Sequence, residues 1–494
     1  MEIGPIQFAG GSVLTRSAQD YGGPVTLLTN GPIGTSSNRI QFADDANTAQ
    51  QIVSIGSATV QPSSVYLDGL GSLTLGGILG GGTNPTIDVT AQTKLVFSAA
   101  VDGDLVLVVA TQGATEFDAA MSVESLNVEA GSTQIDGGSI ATVSTQNYAG
   151  AVTISRETTL TSTGTGTAGA ITLGSTVDGS GGLDTLHVIT AGMTDFKGAV
   201  GGSASSPDME ALDVEIGPIQ LEGGSVSTRS AEYYGGPVTI TQNTTLSSTA
   251  GGYVSFNSPI DSSGGLFTLH SITAGLTRFH GAVGGSGNSP DMEALDVEIG
   301  PIQFAGGSVL TRSAQDYGGP VTLLENTTLT STAGGYIAFN STIDAGSNPA
   351  GLTITTSHAY TNVSGTIQLF HAAIGGNTPL SYLVANVEGG IALNTPIVTY
   401  GDMLFGGAAL MPAVLQVSAD LTSYEGTIGF DVSQSVYTGF GSTISAFGGP
   451  ISFSAGANAT GSSLVSLFSP MQATGVFVSG NGASNQLVLP PPGQ

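Results

Sequence analysis

Short stretches in which apolar and polar residues alternate recur along the chain. At 212–216, 238–240 and 254–256 every second residue is Leu, Val, Ile or Phe. Alternation with a period of two is typical of β-strands with one buried face. Gly-Gly, Gly-Pro and Asn-containing turns separate these stretches, and none carries the 3.6-residue apolar period of a long helix. The pattern therefore predicts an all-β protein.

The chain also repeats itself. Residues 2–28 recur letter for letter at 298–324, a third version occupies 215–240, and a looser fourth version occupies 129–154. The tyrosine of this motif falls at Tyr21, Tyr148, Tyr234 and Tyr317, so the last two copies lie 83 residues apart. Self-similarity at a fixed period is the signature of repeat architectures.

These matches suggest how the chain is organised. We expect a partial repeat at 1–29, diverged solenoid repeats at 30–120, full repeats at 121–206, 207–289 and 290–377, and a diverged C-terminal solenoid or cap at 378–494. Because Glu2 corresponds to Glu298, the chain begins inside a repeat. We therefore expect the natural protein to extend upstream.

The 83-residue repeat divides into pieces of 26, 29 and 28 residues, each with about three strand-like runs. Such a piece suits one coil of a three-sided parallel β-helix, in which like side chains of successive coils stack. We therefore expect a β-solenoid with about three coils in each repeat. The alternative is a string of tandem β-sandwich modules, since an immunoglobulin-like domain has a similar length. The lack of Trp and of distinct linkers favours the solenoid.

The composition and net charge of the chain limit the classes of partner that it can bind. The chain has 8 Lys and Arg against 36 Asp and Glu, a net charge of −28. Phosphate binding needs clustered cations, so we expect no nucleic-acid partner. No apolar run has the length of a membrane span. The chain has no Cys, which excludes disulfides and thiolate chemistry. Residues 1–11 lack the basic and apolar regions of a signal peptide, so no export signal is expected in this sequence.

The repeated segments carry a family resemblance. LHVITAGMTDFKGAVGG at 186–202, GGSVSTRS at 223–230 and NTTLSST at 243–249 resemble repeats of large bacterial surface exoproteins, the filamentous-haemagglutinin-like and autotransporter-like adhesins. The resemblance is close over residues 1–28 and 121–377. The flanking residues 30–120 and 378–494 share only the general character of these repeats. It implies a right-handed β-helix stalk, secretion to the cell surface, and a role in adhesion or biofilm formation.

Local signatures of catalysis are missing. Neither Lys94 nor Lys197 follows the glycine of a phosphate-binding loop, and no His precedes Glu as in the zinc-protease motif. His270, Arg278 and His280 correspond to His187, Asp195 and Lys197 in the preceding repeat, so we interpret them as solvated outer side chains. The shared position of Arg16, Arg229 and Arg312 predicts ion pairs with nearby acids. Phe117, Phe196, Phe279 and Phe370 are expected to stack in the core, and the buried tyrosine hydroxyls should find partners.

The repeated acids are the strongest candidates for a ligand site. Calcium takes six to eight oxygen ligands, and carboxylates stacked on successive coils could supply them weakly. The candidates are Asp208, Glu210, Asp213, Asp291, Glu293 and Asp296. The nonapeptide of calcium-binding β-rolls is missing, and plain solubilising charge explains the same acids. We expect no catalytic residue and no other cofactor.

Two functions remain open from the sequence. The first is a structural or adhesive stalk outside the cell, whose repeated face makes multivalent contacts with glycans or proteins on host or neighbouring cells. The second is a carbohydrate-active β-helix enzyme, a lyase or hydrolase. An enzyme would need a unique cluster of carboxylates and a base, and here the most distinctive residues are repeated. The stalk is therefore the favoured interpretation.

Overall fold

The structure is a computed structural model. It describes residues 86–456 except 182–183, 204–205, 286–289, 357–365, 368–371, 388, 407–411, 434 and 440. It also describes 6–8, 11–15, 19–28, 39–44, 52–61, 65–69, 72–76, 78–80, 463–480 and 485–488. These residues form β-strands, turns and bends, and none of them is helical.

The strands are short and follow one another at close intervals. Strands β1 to β10 are Ile6–Phe8, Gly11–Thr15, Gln19–Leu28, Arg39–Asp44, Ile52–Gln61, Val65–Gly69, Ser72–Leu75, Ile78–Gly80, Thr86–Ala91 and Lys94–Phe97. Strands β11 to β24 are Val101–Phe117, Met121–Ile135, Ser139–Thr142, Gln146–Tyr148, Val152–Ile154, Thr158–Leu173, Val177–Gly179, Asp184–Phe196, Gly202–Ser203, Ser206–Pro207, Met209–Ile216, Ile219–Leu221, Ser225–Thr228 and Glu232–Tyr234.

The second half of the chain continues in the same way. Strands β25 to β39 are Val238–Ile240, Thr244–Ser248, Val254–Phe256, Ile260–Ser262, Phe267–Thr273, Thr277–Phe279, Met292–Ile299, Ile302–Phe304, Ser308–Thr311, Gln315–Tyr317, Val321–Leu323, Thr327–Ser331, Ile337–Phe339, Ile343–Ala345 and Leu352–Thr356. Strands β40 to β54 are Thr366–Ile367, Leu383–Val387, Gly389–Leu393, Ile397–Thr399, Met403–Phe405, Pro412–Val417, Leu421–Ser423, Ile428–Val432, Ser435–Thr438, Ile444–Ala446, Ile451–Ala455, Ser463–Leu467, Met471–Ala473, Val476–Gly480 and Asn485–Val488.

The chain divides into two compact bodies. The N-terminal body comprises Met1–Thr239 and Ser247–Thr249, and the C-terminal body comprises Ile240–Leu246 and Ala250–Gln494. Within each body, strands pair in parallel with strands about 23 residues further along the chain. This arrangement confirms the predicted parallel β-solenoid. It excludes the β-sandwich alternative, whose sheets would be antiparallel.

In the N-terminal body, inward side chains form continuous ladders from coil to coil. One ladder joins, in register, Val101, Met121, Ile140, Leu160, Val188 and Val214. All six side chains are buried. A hairpin between β19 and β20 is an antiparallel exception.

In the C-terminal body the ladders include stacked aromatic rings. Phe279 stacks on Phe256 at 5.5 Å and on Phe304 at 5.4 Å between ring centroids. Offset stacking of this kind adds about 0.5–1.5 kcal/mol for each pair beyond the burial of the rings. The prediction of buried aromatic residues is confirmed for Phe117, Phe196 and Phe279, whereas Phe370 lies outside the described residues.

The coils are shorter than the predicted 26–29 residues. From Phe256, four ladder steps lead through Phe279, Phe304 and Leu323 to Ala345. The copy of Phe256 in the next repeat is Phe339, one strand before Ala345. With three strands to a coil, one repeat therefore completes about three and two-thirds coils rather than three. In this body, the equivalent strands β27 and β37 consequently lie on neighbouring faces of the solenoid.

Glycine at one corner lets successive coils approach each other closely. A Cβ atom on Gly300 would lie 1.9 Å from the carbonyl oxygen of Gly275, and a Cβ on Gly319 would lie 1.8 Å from that of Gly300. Only glycine fits where successive backbones approach so closely. The three glycines therefore fix the stacking of three coils at this corner.

Candidate functional site

An outward histidine faces acidic side chains in each of two repeats. In the N-terminal body, His187 of β18 lies in register with Asp213 of β21. The imidazole Nδ1 is 3.2 Å from Asp213 Oδ2, and Nε2 is 3.4 Å from Glu157 Oε1. The ring therefore bridges two carboxylates through its two nitrogens.

The equivalent histidine of the C-terminal body uses a single nitrogen. His270 Nε2 is 3.0 Å from Glu298 Oε1 and 3.5 Å from Asp296 Oδ2. One ligand atom from each of these residues lies within 4.8 Å of the other two. Among the residues that the structure describes, this is the one such group of three. We call His270, Asp296 and Glu298 the histidine–acid cluster.

The next coil adds negative charge to this cluster. Asp296 lies in register with Asp316, whose Oδ1 accepts a hydrogen bond of 2.8 Å from Asn340 Nδ2. Burial raises the pKa of Asp296, His270 lowers it, and the charges of Asp316 and Glu298 raise it further. A protonated His270 would relieve the repulsion between these carboxylates.

The ligand types of the cluster indicate what it can do. Calcium is bound by oxygen atoms alone, whereas one imidazole with two carboxylates suits zinc and related metals. The same three groups also form an ion-paired cluster without any metal. Of the predicted calcium candidates, Asp296 alone belongs to this group.

Two other candidates face arginines instead. Glu210 Oε2 is 3.7 Å from Arg229 Nη1, and Glu293 Oε2 is 3.3 Å from Arg312 Nη1. This result confirms the predicted pairing of Arg229 and Arg312, while Arg16 lies outside the described residues. Both pairs are substantially exposed, so each contributes at most about 1 kcal/mol.

The last two candidates lie near loops. Asp208 Oδ1 accepts a hydrogen bond of 3.1 Å from the backbone of Gly179, and burial together with nearby Asp178 raises the pKa of Asp208. In the next repeat, Asp291 lies near Asp261, the counterpart of Asp178. The six acids thus occupy three kinds of neighbourhood, and each kind occurs in both repeats. Calcium binding stays a prediction.

The proposed outer polar residues have more contacts than the sequence suggested. Arg278 donates two hydrogen bonds to Gln303 Oε1, at 2.9 and 2.6 Å. Asp195 is buried rather than solvated, and Lys197 Nζ is 3.6 Å from its Oδ2. Burial is the main cause of the raised pKa of Asp195, and the charge of Glu222 raises it further. Neighbouring coils therefore cover side chains that the strand pattern places outside.

A fully buried carboxyl group was missed at the sequence level. Glu232 accepts hydrogen bonds from Tyr234 Oη at 3.1 Å and from Thr228 Oγ1 at 3.3 Å. The equivalent residues of the other repeats are Gln146 and Gln315. Alignment of the repeats could have revealed this buried carboxyl group. The Gln-to-Glu change lies two residues before the buried tyrosine, and residues two apart in a strand point to the same face.

The tyrosine hydroxyls have the partners that were expected. Tyr148 Oη donates to Gln146 Oε1 at 3.0 Å, and Tyr317 Oη donates to Gln315 Oε1 at 2.9 Å. Each of these pairs is buried inside its coil. At Tyr148, Tyr234 and Tyr317 the recurring tyrosine is therefore a core residue with a satisfied hydroxyl, and the side chain of Tyr21 lies outside the described part of the structure.

Two further observations bear on the kind of protein this is. The described residues include no helix that is long and apolar enough to cross a membrane. The chain matches no protein family, no curated protein and no solved structure.

Proposed function

We propose that this chain is a structural and adhesive segment of a secreted or cell-surface protein of the haemagglutinin-like adhesin type. In this proposal its role is to hold repeated polar groups in fixed register, where they make weak contacts with glycans or proteins on host or neighbouring cells. The β-solenoid supplies the scaffold, and no chemical step is required.

The observation that carries the proposal is the recurrence of the same outward groups on separate coils. The ion pairs Glu210–Arg229 and Glu293–Arg312 occupy equivalent positions, and so do the contacts His187–Asp213 and His270–Asp296. A repeated surface favours multivalent binding, because linked weak contacts gain avidity without any new contact. A catalytic centre, by contrast, needs one unique constellation.

The interior supports the same role. The core ladders are built mainly from aliphatic and aromatic side chains that pack on the next coil, as in the stack of Phe405, Phe430 and Phe453, with ring centroids 5.5 and 4.8 Å apart. Such a core is stable coil by coil, because each coil contacts its neighbours. Sequence differences among the outer residues of the repeats then leave the scaffold intact.

Bead attachment tests the proposal. Beads coated with the full chain at graded densities are passed over bacterial and epithelial cell layers, with heat-unfolded chain as the matched control. We expect attachment that rises steeply with coating density and that soluble monomer inhibits poorly. Attachment equal to that of the unfolded control at every density would contradict the proposal. Fractionation of the producing cells tests the predicted location, which requires the chain in the medium or at the cell surface.

A further inference from the structure

Exposed aromatic residues form a row at one corner of the C-terminal body. Tyr400, Tyr424 and Phe447 each follow the last residue of a strand, and Thr399, Ser423 and Ala446 before them lie in register on successive coils. The three side chains are 44%, 46% and 55% exposed. Isolated exposed aromatic residues are ordinary, but three at one position on consecutive coils are a repeated surface feature.

The two tyrosines line a groove. Their ring centroids are 5.8 Å apart and the ring planes are inclined by 45°, so the rings do not stack face to face. The groove has a volume of about 500 Å³, and Gly375, Gly376, Asn377, Pro379 and Val398 complete its lining. This volume lies within the usual range of small-ligand sites, roughly 300–1,000 Å³.

The glycine turn lets this groove form. Gly375 has a φ of +66°, and a Cβ atom there would lie 2.1 Å from the carbonyl oxygen of Val398. Any larger residue would therefore push the turn away from the neighbouring coil. The turn also holds a polar group in place, because Asp344 Oδ1 accepts hydrogen bonds from the backbone of Asn377 and Thr378 at 2.9 and 3.2 Å.

The Asn377 side chain is fixed as well. Its Nδ2 donates to Asp344 Oδ2 at 3.0 Å, so the amide is held at the rim of the groove. The amide oxygen can accept a hydrogen bond from a ligand hydroxyl. The groove thus combines aromatic rings with one oriented polar group, the combination that small-ligand sites use for affinity and orientation.

Charge selects among the ligands that such a groove could take. Arg312 is the last Lys or Arg of the sequence, so residues 313–494 contain neither. Asp344 contacts Asn377 of the lining, and the carboxyl group of Glu425 is exposed beside Tyr424. An anionic ligand would meet negative charge without a Lys or Arg to balance it. A neutral ligand with apolar faces and hydroxyl groups fits these observations.

We propose that Tyr400, Tyr424 and Asn377 form a binding site for a neutral glycan. The C–H groups of a sugar ring make one face apolar, and that face packs on an aromatic ring whose own face is electron-rich. The Asn377 amide binds a sugar hydroxyl. This inference rests on the proposed adhesive function and names the ligand class for one of its contacts.

A glycan microarray with neutral and acidic glycans tests the site. The full chain is compared with Tyr400→Ala, Tyr424→Ala and Tyr424→Phe, and with Tyr336→Ala as the matched control, since Tyr336 is 51% exposed and does not line the groove. We expect binding to neutral glycans that falls at least ten-fold in each groove Ala variant and persists in Tyr424→Phe and Tyr336→Ala. Circular dichroism and thermal melts confirm that each variant is folded.

Three results would overturn the inference. They are binding to acidic glycans alone, neutral binding that both groove Ala variants retain, and no binding to any glycan on the array. Binding of a peptide library at Tyr400 and Tyr424, without any glycan, would assign the groove to a protein partner instead. If coated beads attach equally well with the double variant Tyr400→Ala/Tyr424→Ala, adhesion stands and the glycan site falls. If glycans bind but beads never attach, the glycan site stands and the adhesive role falls.

Discussion

Replacing the buried Glu232 with glutamine should change how the stability of the N-terminal body depends on pH. In the equivalent positions, Gln146 Nε2 donates to the carbonyl oxygen of Thr161 at 2.7 Å and Gln315 Nε2 donates to that of Thr330 at 2.9 Å. A carboxylate cannot donate, so Glu232 matches this arrangement only when it carries a proton. Glu232→Gln restores the donor that the other repeats have.

The magnitude follows from the burial of the group. Burial raises the pKa of Glu232 from 4.5 to about 8, although hydrogen bonds from Tyr234, Thr228 and the backbone of Ser247 oppose this change. Burial and the neighbouring carboxyl group keep the pKa of Tyr234 well above its ordinary value, so the tyrosine stays neutral in this range. The free energy that corresponds to the Glu232 change is about 5 kcal/mol.

The sign follows from which state loses its proton first. In the unfolded chain Glu232 ionises near pH 4.5, whereas in the folded chain it stays protonated until about pH 8. Ionisation therefore favours the unfolded state between these values. The stability that the neutral group contributes is complete below pH 4.5 and is lost as the pH rises through about 8.

Hydrogen exchange of peptides covering 226–239, measured from pH 4.5 to 9 with correction for intrinsic rates, gives the local opening free energy. We expect Glu232→Gln to match the native chain near pH 4.5 and to exceed it by up to about 5 kcal/mol near pH 8. The reverse variant, Gln315→Glu, should introduce the same pH dependence around residue 315. If the opening free energies of the native chain and Glu232→Gln differ by the same amount at every pH, the reasoning is refuted.

Three further predictions concern stability. Phe279→Ala removes a ring stacked on two neighbours and should cost about 3–5 kcal/mol in chemical denaturation; a loss below about 1 kcal/mol would contradict the packed core. Ile299 has a φ of 70°, which costs an L-residue about 1–2 kcal/mol, so Ile299→Gly should raise the melting temperature despite the added chain entropy; a lower melting temperature would argue against backbone strain there. Arg312→Ala breaks the exposed pair with Glu293 and should cost under about 1 kcal/mol, less at high salt; a larger, salt-independent loss would show a packing role.

The repeats and their alternation were enough to predict the parallel solenoid and most of its core. Phe117, Phe196 and Phe279 recur at one inward position, and the structure buries all three. The coil length was harder to predict, because strands of three or four residues follow one another so evenly that the repeat divides plausibly into three pieces. The close approaches at Gly275, Gly300 and Gly319 exist only after the coils have stacked, so the sequence alone does not reveal which glycines face each other.

The surroundings of the acids depended on that coil length. With coils of about 23 residues, Asp213 faces His187 on the preceding coil and Tyr233 on the next, whereas the equivalent Asp296 faces His270 and Asp316. The contacts of Glu232 could have been anticipated from its spacing to Tyr234. The groove beside Tyr400 and Tyr424 could not, because that part of the chain no longer matches the repeats.

Disulfide trapping tests the central claim, that successive coils lie in parallel register. The chain has no Cys, so an introduced pair reacts without competition. Thr330 of β36 lies in register with Thr355 of β39, and both side chains point outward. Their Cα atoms should be about 4.8 Å apart, whereas Thr330 and Thr353 should be roughly 8 Å apart, beyond the reach of a disulfide.

Mild oxidation of the folded variant Thr330→Cys/Thr355→Cys should therefore form the disulfide nearly completely and leave Thr330→Cys/Thr353→Cys mostly reduced. If the second pair closed as readily as the first, or the first stayed reduced in the folded protein, the parallel stacking of coils would be contradicted.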